Sequence, residues 1–252
     1  MRIRCVAWRP SPSAALAFRA TVLVGLTLGC SDASHRLGGA YELSDGLRLG
    51  ECAKGADLES IDRMEDADGT IDPIAGRSGV WLSWNDKTGW QEPSDLNETF
   101  VMKELDPPRG RSHFAASSRG GGFGDWGARI GFELQVQQGY DLSRYAGITF
   151  WARRGSGPAF VLRFVLPDRA TTPRGKQCLT YACNDHFGVD LVLTEEFERY
   201  SFAWSDFEQI GWGEPKPSSL DAAAVYAVHF QIDKEQDFDF TVDDIALLCH
   251  PE

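Results

Sequence analysis

The chain has 252 residues, with 37 acidic and 25 basic side chains and a net charge of −12. Because an acidic surface repels phosphate groups, this charge argues against nucleic acid and anionic membranes as partners, while neutral polymers and divalent cations stay open. The length suits one domain with a sizeable hydrophobic core.

The N-terminus has the pattern of a secretory signal peptide. Residues 1–29 carry four arginines and no acid, and they end in an apolar run that starts at Ala20. This run is too short for a transmembrane helix, which needs roughly 20 residues. We expect export and removal of residues 1–29. The mature chain then has 21 basic and 37 acidic side chains, a net charge of −16.

The end of this segment, Leu26-Thr-Leu-Gly-Cys30, resembles a bacterial lipobox, in which the cysteine becomes the lipidated first residue. We expect lipidation at Cys30. Because Ser31 follows, we also expect an outer-membrane or cell-surface location, with ordinary secretion as the alternative. Residues 30–50 are poor in large apolar side chains and rich in Gly, Ser and Asp, which predicts a flexible tether. A single domain is expected at residues 51–252.

Four further cysteines, an even number in an exported chain, predict two disulfides. They allow three connectivities, of which we favour Cys52–Cys249 and Cys178–Cys183. The first pair would tie the first strand region to the last. Zinc bound by Cys178, Cys183 and His186 is a less favoured alternative, because only three ligands lie close together.

Beyond the tether, short alternating runs recur between Gly, Pro, Asp and Asn, and no helical period is sustained over more than two turns. About ten strands without intervening helices predict an all-β fold, a jelly-roll β-sandwich. Short helical turns are expected at 204–211 and 219–224. The predicted strands are Ile61–Glu65, Gly79–Asn85, Arg111–Ser117, Ala128–Gln138, Gly147–Arg154, Ala159–Leu166, Phe187–Thr194, Arg199–Trp204, Val225–Asp233 and Phe238–Leu248.

Alternation within the strands separates a core face from a face that can bind a ligand. A sugar needs a flat aromatic ring for stacking and planar groups that hydrogen-bond its hydroxyls. Trp151, Arg163, His229 and Gln231 supply these groups on strands that a jelly roll can place side by side. The alternative is that the tryptophans are semi-buried core and the histidines ordinary surface. The residues expected to close the ends of the groove are Trp126, Tyr181, His186 and Trp212.

Acidic side chains gather in two places that meet if the first and last strands are neighbours. One cluster lies at 62–72 and includes Asp68, and the other comprises Asp243 and Asp244. Converging carboxylates repel one another, and calcium, which accepts six to eight oxygen ligands, relieves that repulsion. We therefore expect a structural calcium ion, with exposed turn acids as the alternative.

The sequence offers little support for catalysis. It has no Gly-x-Ser-x-Gly motif, and its acids lie at predicted strand ends and turns rather than flanking a cleft as in a glycoside hydrolase. We therefore expect no catalytic residue.

Six segments carry a further signal: Ile61–Gly69, Gly76–Trp81, Trp126–Phe132, Tyr140–Ala152, Cys183–Gly188 and Val242–Ile245. They resemble the galactose-binding-like jelly-roll carbohydrate-binding modules, with family 11 β-glucan-binding modules and similar domains of envelope lipoproteins as the nearest relatives. The resemblance covers about residues 57–249. It implies a non-catalytic polysaccharide-binding jelly roll, and the family's calcium ligands carry over to Glu65 and Asp243. Met64 stands where the family has Phe, and the family's tyrosine-rich cleft is not reproduced, so β-glucan specificity does not transfer.

Together these observations predict an exported, calcium-stabilised domain that binds a polysaccharide or glycan without catalysis. The alternative from another class is a structural or adhesion envelope lipoprotein that binds a protein. A glycan-processing enzyme is the third and least favoured function.

Overall fold

The computed structural model describes residues 41–251 except 44, 95–98 and 181, and for residues 41 and 42 only the backbone. The expected signal peptide, Cys30 and Tyr181 lie outside the described residues. Within the described part, no helix is long and apolar enough to cross a membrane. The strands are β1 (Tyr41–Glu42), β2 (Arg48–Leu49), β3 (Leu58–Asp62), β4 (Trp81–Asn85), β5 (Trp90–Glu92), β6 (Lys103–Arg109), β7 (Ser112–Gly121), β8 (Ala128–Glu133), β9 (Gly147–Arg154), β10 (Leu162–Leu166), β11 (Phe187–Leu191), β12 (Glu198–Ala203), β13 (Ala227–Ile232) and β14 (Phe238–Leu248).

The strands form two sheets of a β-sandwich. The larger sheet has the order β1-β2-β3-β14-β7-β5, with β9 also paired to β14, β12 paired to β9, and β6 paired to β7. The smaller sheet has the order β11-β10-β13-β8-β4. Pairing is antiparallel apart from β2 with β3. This is the all-β jelly-roll architecture that the strand pattern predicts.

Aromatic side chains from both sheets fill the core. Phe150 of β9 lies 4.7 Å from Phe164 of β10 and 5.1 Å from Phe230 of β13, measured between ring centroids, and all three are fully buried. Each of them alternates with residues that face outward, which is the period-2 pattern of a strand with one buried side. These strands therefore have a core face and an outer face, as their alternation predicts.

Each of the ten predicted strands overlaps an observed strand, and four observed strands were not predicted. β1, β2 and β5 have only two or three residues each. β6 contains Pro107 and Pro108 and pairs with β7 alone, at an edge where proline is tolerated. Short 3₁₀ turns at Trp204–Asp206 and Ala222–Ala224 lie within the two predicted helical turns, whereas those at Cys52–Lys54 and Pro173–Gly175 were not expected.

The predicted tether is wrong at its C-terminal end. β1 and β2 pair with each other, and β2 joins β3 through Leu49 and Leu58. Leu49 is buried against Leu58 and Ala246, with Leu43 and Leu47 packed around them. These leucines are spaced along a polar stretch, so the sequence looks unstructured although it contributes a small apolar cluster to the sandwich.

Both favoured disulfides are present. Cys52 and Cys249 are bonded with their Cα atoms 5.3 Å apart, and Cys178 and Cys183 with theirs 5.6 Å apart. Because the last two sulfurs are bonded to each other, the zinc alternative is wrong. β3 and β14 are paired neighbours, so the first and last predicted strands meet as expected.

Candidate functional site

The outer side of the smaller sheet carries a row of aromatic and planar polar side chains. Cross-strand pairing places Trp84 beside Arg129, Arg129 beside Gln231, Gln231 beside Arg163, and Arg163 beside Asp190. Their neighbours along each strand point toward the core, so these five side chains share the opposite side. We call this surface the small-sheet face. It also includes a second row, formed by Leu82, Gly131, His229, Val165 and Gly188.

Two glycines of the second row, Gly131 and Gly188, make room for the larger side chains beside them. A Cβ atom on Gly131 would lie 2.8 Å from Cδ2 of His229, and one on Gly188 would lie 2.6 Å from Cγ1 of Val165. Both distances are shorter than van der Waals contact. The two glycines therefore leave the space that the side chains of His229 and Val165 occupy.

Two buried histidines lie at this face, His229 on β13 and His186 just before β11. Their ring centroids are 6.5 Å apart, and Nδ1 of His186 lies 3.0 Å from Oγ1 of Thr171. Burial, assisted by the charge of Arg129, lowers the pKa of His186 to about 3 and the pKa of His229 well below its ordinary value. Both rings are therefore neutral at physiological pH. Nδ1 of His229 is buried without a hydrogen-bond partner among the described residues.

Arg163 and Gln231 present planar hydrogen-bonding groups side by side. Nη1 of Arg163 donates to Oδ1 of Asp190 at 2.7 Å, and Nη2 donates to the carbonyl oxygen of Glu208 at 2.6 Å. These bonds hold the guanidinium in place. The half-buried side-chain amide of Gln231 has no hydrogen bond to any other described residue, so its donor and acceptor are free for a ligand.

Two tryptophans flank Arg129. Its guanidinium carbon lies 5.1 Å from the ring centroid of Trp84 and 5.5 Å from that of Trp126. Oδ2 of Asp86 fixes the loop that carries Trp126 by accepting its backbone N–H at 2.9 Å. Trp84 and Arg129 were not among the residues predicted from the sequence. Alternation with the buried Ile130 could have assigned Arg129 to the outer side of β8.

Of the four residues expected to close the ends of the groove, two belong to this face. Trp126 and His186 belong to it. Trp212 is 57 % exposed on a loop beside β11, which Glu208 anchors by exchanging backbone hydrogen bonds with Gly188 at 3.0 and 3.1 Å. No hydrogen bond, ion pair or ring contact joins Trp212 to the two rows among the described residues. Tyr181 lies outside those residues.

Trp151 does not belong to the small-sheet face, and its predicted place beside Arg163, His229 and Gln231 is wrong. It lies on β9, which pairs with β12 and β14 in the larger sheet, so its side chain points to the opposite side of the sandwich. Alternation gave the correct inside and outside of β9, but it does not reveal which sheet a strand joins. Trp151 lines a separate cavity of about 560 Å³, where the guanidinium of Arg109 lies 4.6 Å from its ring centroid.

The expected calcium ligands come together only in part. Oγ of Ser112 lies 2.7 Å from Oδ2 of Asp243, to which its hydroxyl donates, and 3.2 Å from Oε1 of Glu65. Asp68 is apart from them: it is exposed and accepts hydrogen bonds from Thr70. The expectation that Asp68 joins this set is therefore wrong.

The residues around Asp243 do not fit a calcium site. Arg109 donates to Asp243 at 2.9 Å and also pairs with Asp244, so a guanidinium already supplies the positive charge. Burial and repulsion from Asp244 raise the pKa of Asp243 to about 7. The described residues contain no group of three or more acids, histidines or cysteines with the geometry to hold a metal ion.

Comparison with known proteins identifies solved structures that have a similar fold. No family model and no curated protein sequence matches the chain. Among solved structures, the family 11 carbohydrate-binding module of a cellulosomal cellulase of Clostridium thermocellum matches 77 % of this chain and 96 % of its own, with 15 % identity and a TM-score of 0.50.

Two further matches come from Clostridium thermocellum. A family 11 module in complex with a β-1,3-1,4-mixed-linked tetrasaccharide shares 17 % identity, with 73 % and 97 % coverage of this chain and its own and a TM-score of 0.48. A family 30 module of a cellulosomal cellulase shares 13 % identity, with 69 % and 99 % coverage and a TM-score of 0.40. The chain has the jelly-roll β-sandwich fold of the family 11 carbohydrate-binding modules.

Proposed function

We propose that this chain is a non-catalytic domain that binds a polysaccharide or glycan on its small-sheet face. The observation that carries the proposal is the first row of that face. There Trp84 supplies an aromatic ring, and Gln231 and Arg163 supply adjacent planar groups, of which the Gln231 amide has no partner. Rings and planar polar groups are what sugar recognition requires.

The fold is consistent with this proposal but does not by itself establish that the chain binds a glycan. It is that of a carbohydrate-binding module, but one fold hosts many functions, so the residues of the site must decide. The carboxylates at the small-sheet face support binding rather than hydrolysis. Asp190 pairs with Arg163 at 2.7 Å and Glu133 pairs with Arg174, so neither is a free general acid or base.

Affinity gel electrophoresis of the full chain, produced in an oxidising compartment, tests the proposal. Gels with mixed-linkage β-glucan, xylan, mannan and acidic polysaccharides are compared with a gel that contains no polymer. We expect retardation in at least one gel and a loss of about tenfold or more in affinity for Gln231→Ala, on the central strand β13, and for Trp84→Ala, on the edge strand β4, because each removes a direct contact with the ligand.

Trp90→Ala is the matched control. Trp90 is 53 % exposed on β5 of the larger sheet, so its removal should leave retardation unchanged. Migration of the folded protein that no polysaccharide alters would refute the proposal. Capture of a protein partner in that case would support the adhesion alternative instead. Release of reducing sugars by the pure chain would overturn the assignment as non-catalytic.

We also propose that the chain is exported and held at the outer membrane or cell surface by a lipid on Cys30. Two disulfides, which persist in oxidising compartments, support export. The lipobox-like residues 26–30 support the anchor. Expression in a Gram-negative host should place the protein in the membrane fraction and Cys30→Ser in the soluble fraction. Equal membrane association of both proteins would disprove the anchor.

A further inference from the structure

Arg129 is a cation of the small-sheet face that has no acidic partner among the described residues. Arg163 pairs with Asp190, and Arg174 pairs with Glu133. The guanidinium of Arg129 has neither an ion pair nor a hydrogen bond with any residue that the structure describes, and its Nε atom is buried. Arg129 is half-buried, and burying its Nε atom without a hydrogen-bond partner is costly, so an unpaired guanidinium on a binding face needs an explanation.

The surroundings of Arg129 compensate its charge only in part. Trp84 and Trp126 provide cation–π contacts at 5.1 and 5.5 Å, which fix the position of the guanidinium but do not use its N–H donors. Burial and repulsion from Arg174 lower the pKa of Arg129 to about 10. At neutral pH the group is therefore still a cation with free donors.

The groups that face Arg129 from other elements carry no free negative charge. His229 on β13 and His186 before β11 are both neutral there. The carboxylate of Glu133, on the same strand as Arg129, is engaged by Arg174 and by the backbone N–H of Gln137. The face therefore combines a partnerless cation with neutral groups, on a chain whose overall charge is −12.

We propose that the glycan bound at this face is acidic and that Arg129 receives the carboxylate of a uronic acid residue. The inference rests on the proposed function. A guanidinium offers parallel N–H donors that match the two oxygens of a planar carboxylate, and such charge-assisted pairs are about twice as strong as neutral hydrogen bonds. The rings of Trp84 and Trp126 hold the guanidinium of Arg129 in place, and Gln231 lies beside this guanidinium, where it can bind a hydroxyl of the sugar.

Matched pairs of polymers test this proposal. Polygalacturonate, alginate, glucuronoxylan and hyaluronan are each compared with their carboxyl-reduced forms, which keep the linkages and lose the charge. Dextran sulfate is included as a sulfated polymer. We expect the full chain to bind at least one uronate polymer about tenfold or more tightly than its reduced form, with a preference that weakens as salt is added.

Variants assign the preference to one residue. Arg129→Met removes the charge while keeping much of the side-chain volume between the tryptophans, so the acidic and reduced polymers should bind equally. Arg129→Lys keeps the positive charge but loses the parallel N–H donors of the guanidinium, so it should retain part of the preference for the acidic polymers. Arg119→Met is the control for the change in net charge, because Arg119 pairs with Glu92 at the surface of the larger sheet. It should bind like the wild type, and melting curves should show that all variants are folded.

The possible failures are distinguishable. Equal binding of acidic and reduced polymers by the wild type would overturn this inference and leave the proposed function intact, as would a preference that survives Arg129→Met. Binding of dextran sulfate without binding of any uronate polymer would also overturn it. No binding to any polymer, neutral or acidic, by the folded chain would refute the proposed function as well.

Discussion

At the scale of single residues, the acids of β14 show how an arginine can take the place expected for a metal ion. Asp243 is fully buried and receives hydrogen bonds from Arg109 at 2.9 Å and from Ser112 at 2.7 Å. Its second oxygen, Oδ1, has no partner among the described residues. The local stability therefore depends on the ion pair, because a buried carboxylate that loses its cation is left uncompensated.

Replacing Arg109 with Met should lower the free energy of unfolding by about 3–5 kcal/mol, the usual cost of removing one partner of a buried pair. The double variant Arg109→Met/Asp243→Asn should recover part of this loss, since no unpaired charge remains. Urea unfolding of the three proteins measures both effects. A single variant as stable as the wild type would contradict the role given to the pair.

Thermal melting of the wild type tests whether calcium binds. A ligand of the native state raises the melting temperature by mass action, so its removal must lower that temperature. With Arg109 against Asp243, we expect excess EDTA and excess calcium to leave the melting temperature of the wild type unchanged. A decrease with EDTA that added calcium reverses would show that a metal binds in spite of the arginine.

A second residue-scale prediction concerns His186. Its pKa is about 3 when folded, so below pH about 6.5 the unfolded chain takes up a proton at this residue that the folded chain does not. The contribution of His186 is therefore complete above pH 6.5 and decreases as the pH falls. Relative to His186→Asn, the wild type should lose up to about 1.4 kcal/mol of stability per pH unit below that point.

Urea unfolding at several pH values between about 7.5 and 4.5 measures this difference. Comparison with the variant removes the effects of the buried carboxyl groups of Asp62 and Asp243, whose raised pKa values act in the opposite direction. His113→Asn, at an exposed position of β7, is the control and should show no such trend. A pH-independent difference for His186→Asn would argue against its neutral buried state.

At the scale of elements, β8 and β13 owe their close pairing at the binding face to a glycine. Gly131 lies opposite His229, and a Cβ atom there would be 2.1 Å from the carbonyl oxygen of Val228 as well as 2.8 Å from the histidine ring. The backbone contact cannot be relieved by a side-chain rotation, so a methyl group must push the two strands apart.

Gly131→Ala should therefore cost about 1–3 kcal/mol of stability, the range found when extra atoms are forced into a packed site. It should also weaken glycan binding, because His229 and the strand that carries Gln231 shift. Gly157→Ala is the matched control, since nothing lies within 4 Å of a Cβ atom at that position. Unfolding curves and affinity gels of the two variants test this; equal behaviour would contradict the proposed packing.

At the scale of the whole molecule, the Cys52–Cys249 disulfide joins the two ends of the sandwich. It links residues 197 apart in sequence, whereas Cys178–Cys183 links residues 5 apart. In the loop-entropy model, crosslinking distant positions restricts the unfolded chain more strongly. The first disulfide should therefore contribute more to global stability than the second.

Replacing Cys52 and Cys249 together with Ala should lower the free energy of unfolding by about 5 kcal/mol, against about 2 kcal/mol for the Cys178 and Cys183 pair. Urea unfolding under non-reducing conditions compares the two double variants with the wild type. A larger loss from the short-loop pair would show that native-state contacts, not chain entropy, decide the contribution of these disulfides.

The amino-acid sequence was enough to predict the β-sandwich, ten of the fourteen strands in the described part of the chain, the inward side of β9, β10 and β13, and both disulfide pairs. The strands and their inward sides follow from local alternation, and the number of disulfides follows from the number of cysteines; both are visible without knowing which strands are neighbours. The disulfide pairing was a choice among three connectivities. The two-residue β1 and β2 escaped prediction because their stability comes from contacts between Leu49, Leu58 and Ala246, which are distant in the chain.

Only the tertiary structure decided which outward-facing residues share a surface. It placed Trp151 on the larger sheet and joined Trp84, Arg129, Gln231 and Arg163 into one row of the smaller sheet. It also brought Arg109 against Asp243 across 134 positions of sequence. The physical reason is that alternation determines which side of a strand is buried, whereas the strand order, and with it the composition of a binding face, depends on long-range pairing and packing.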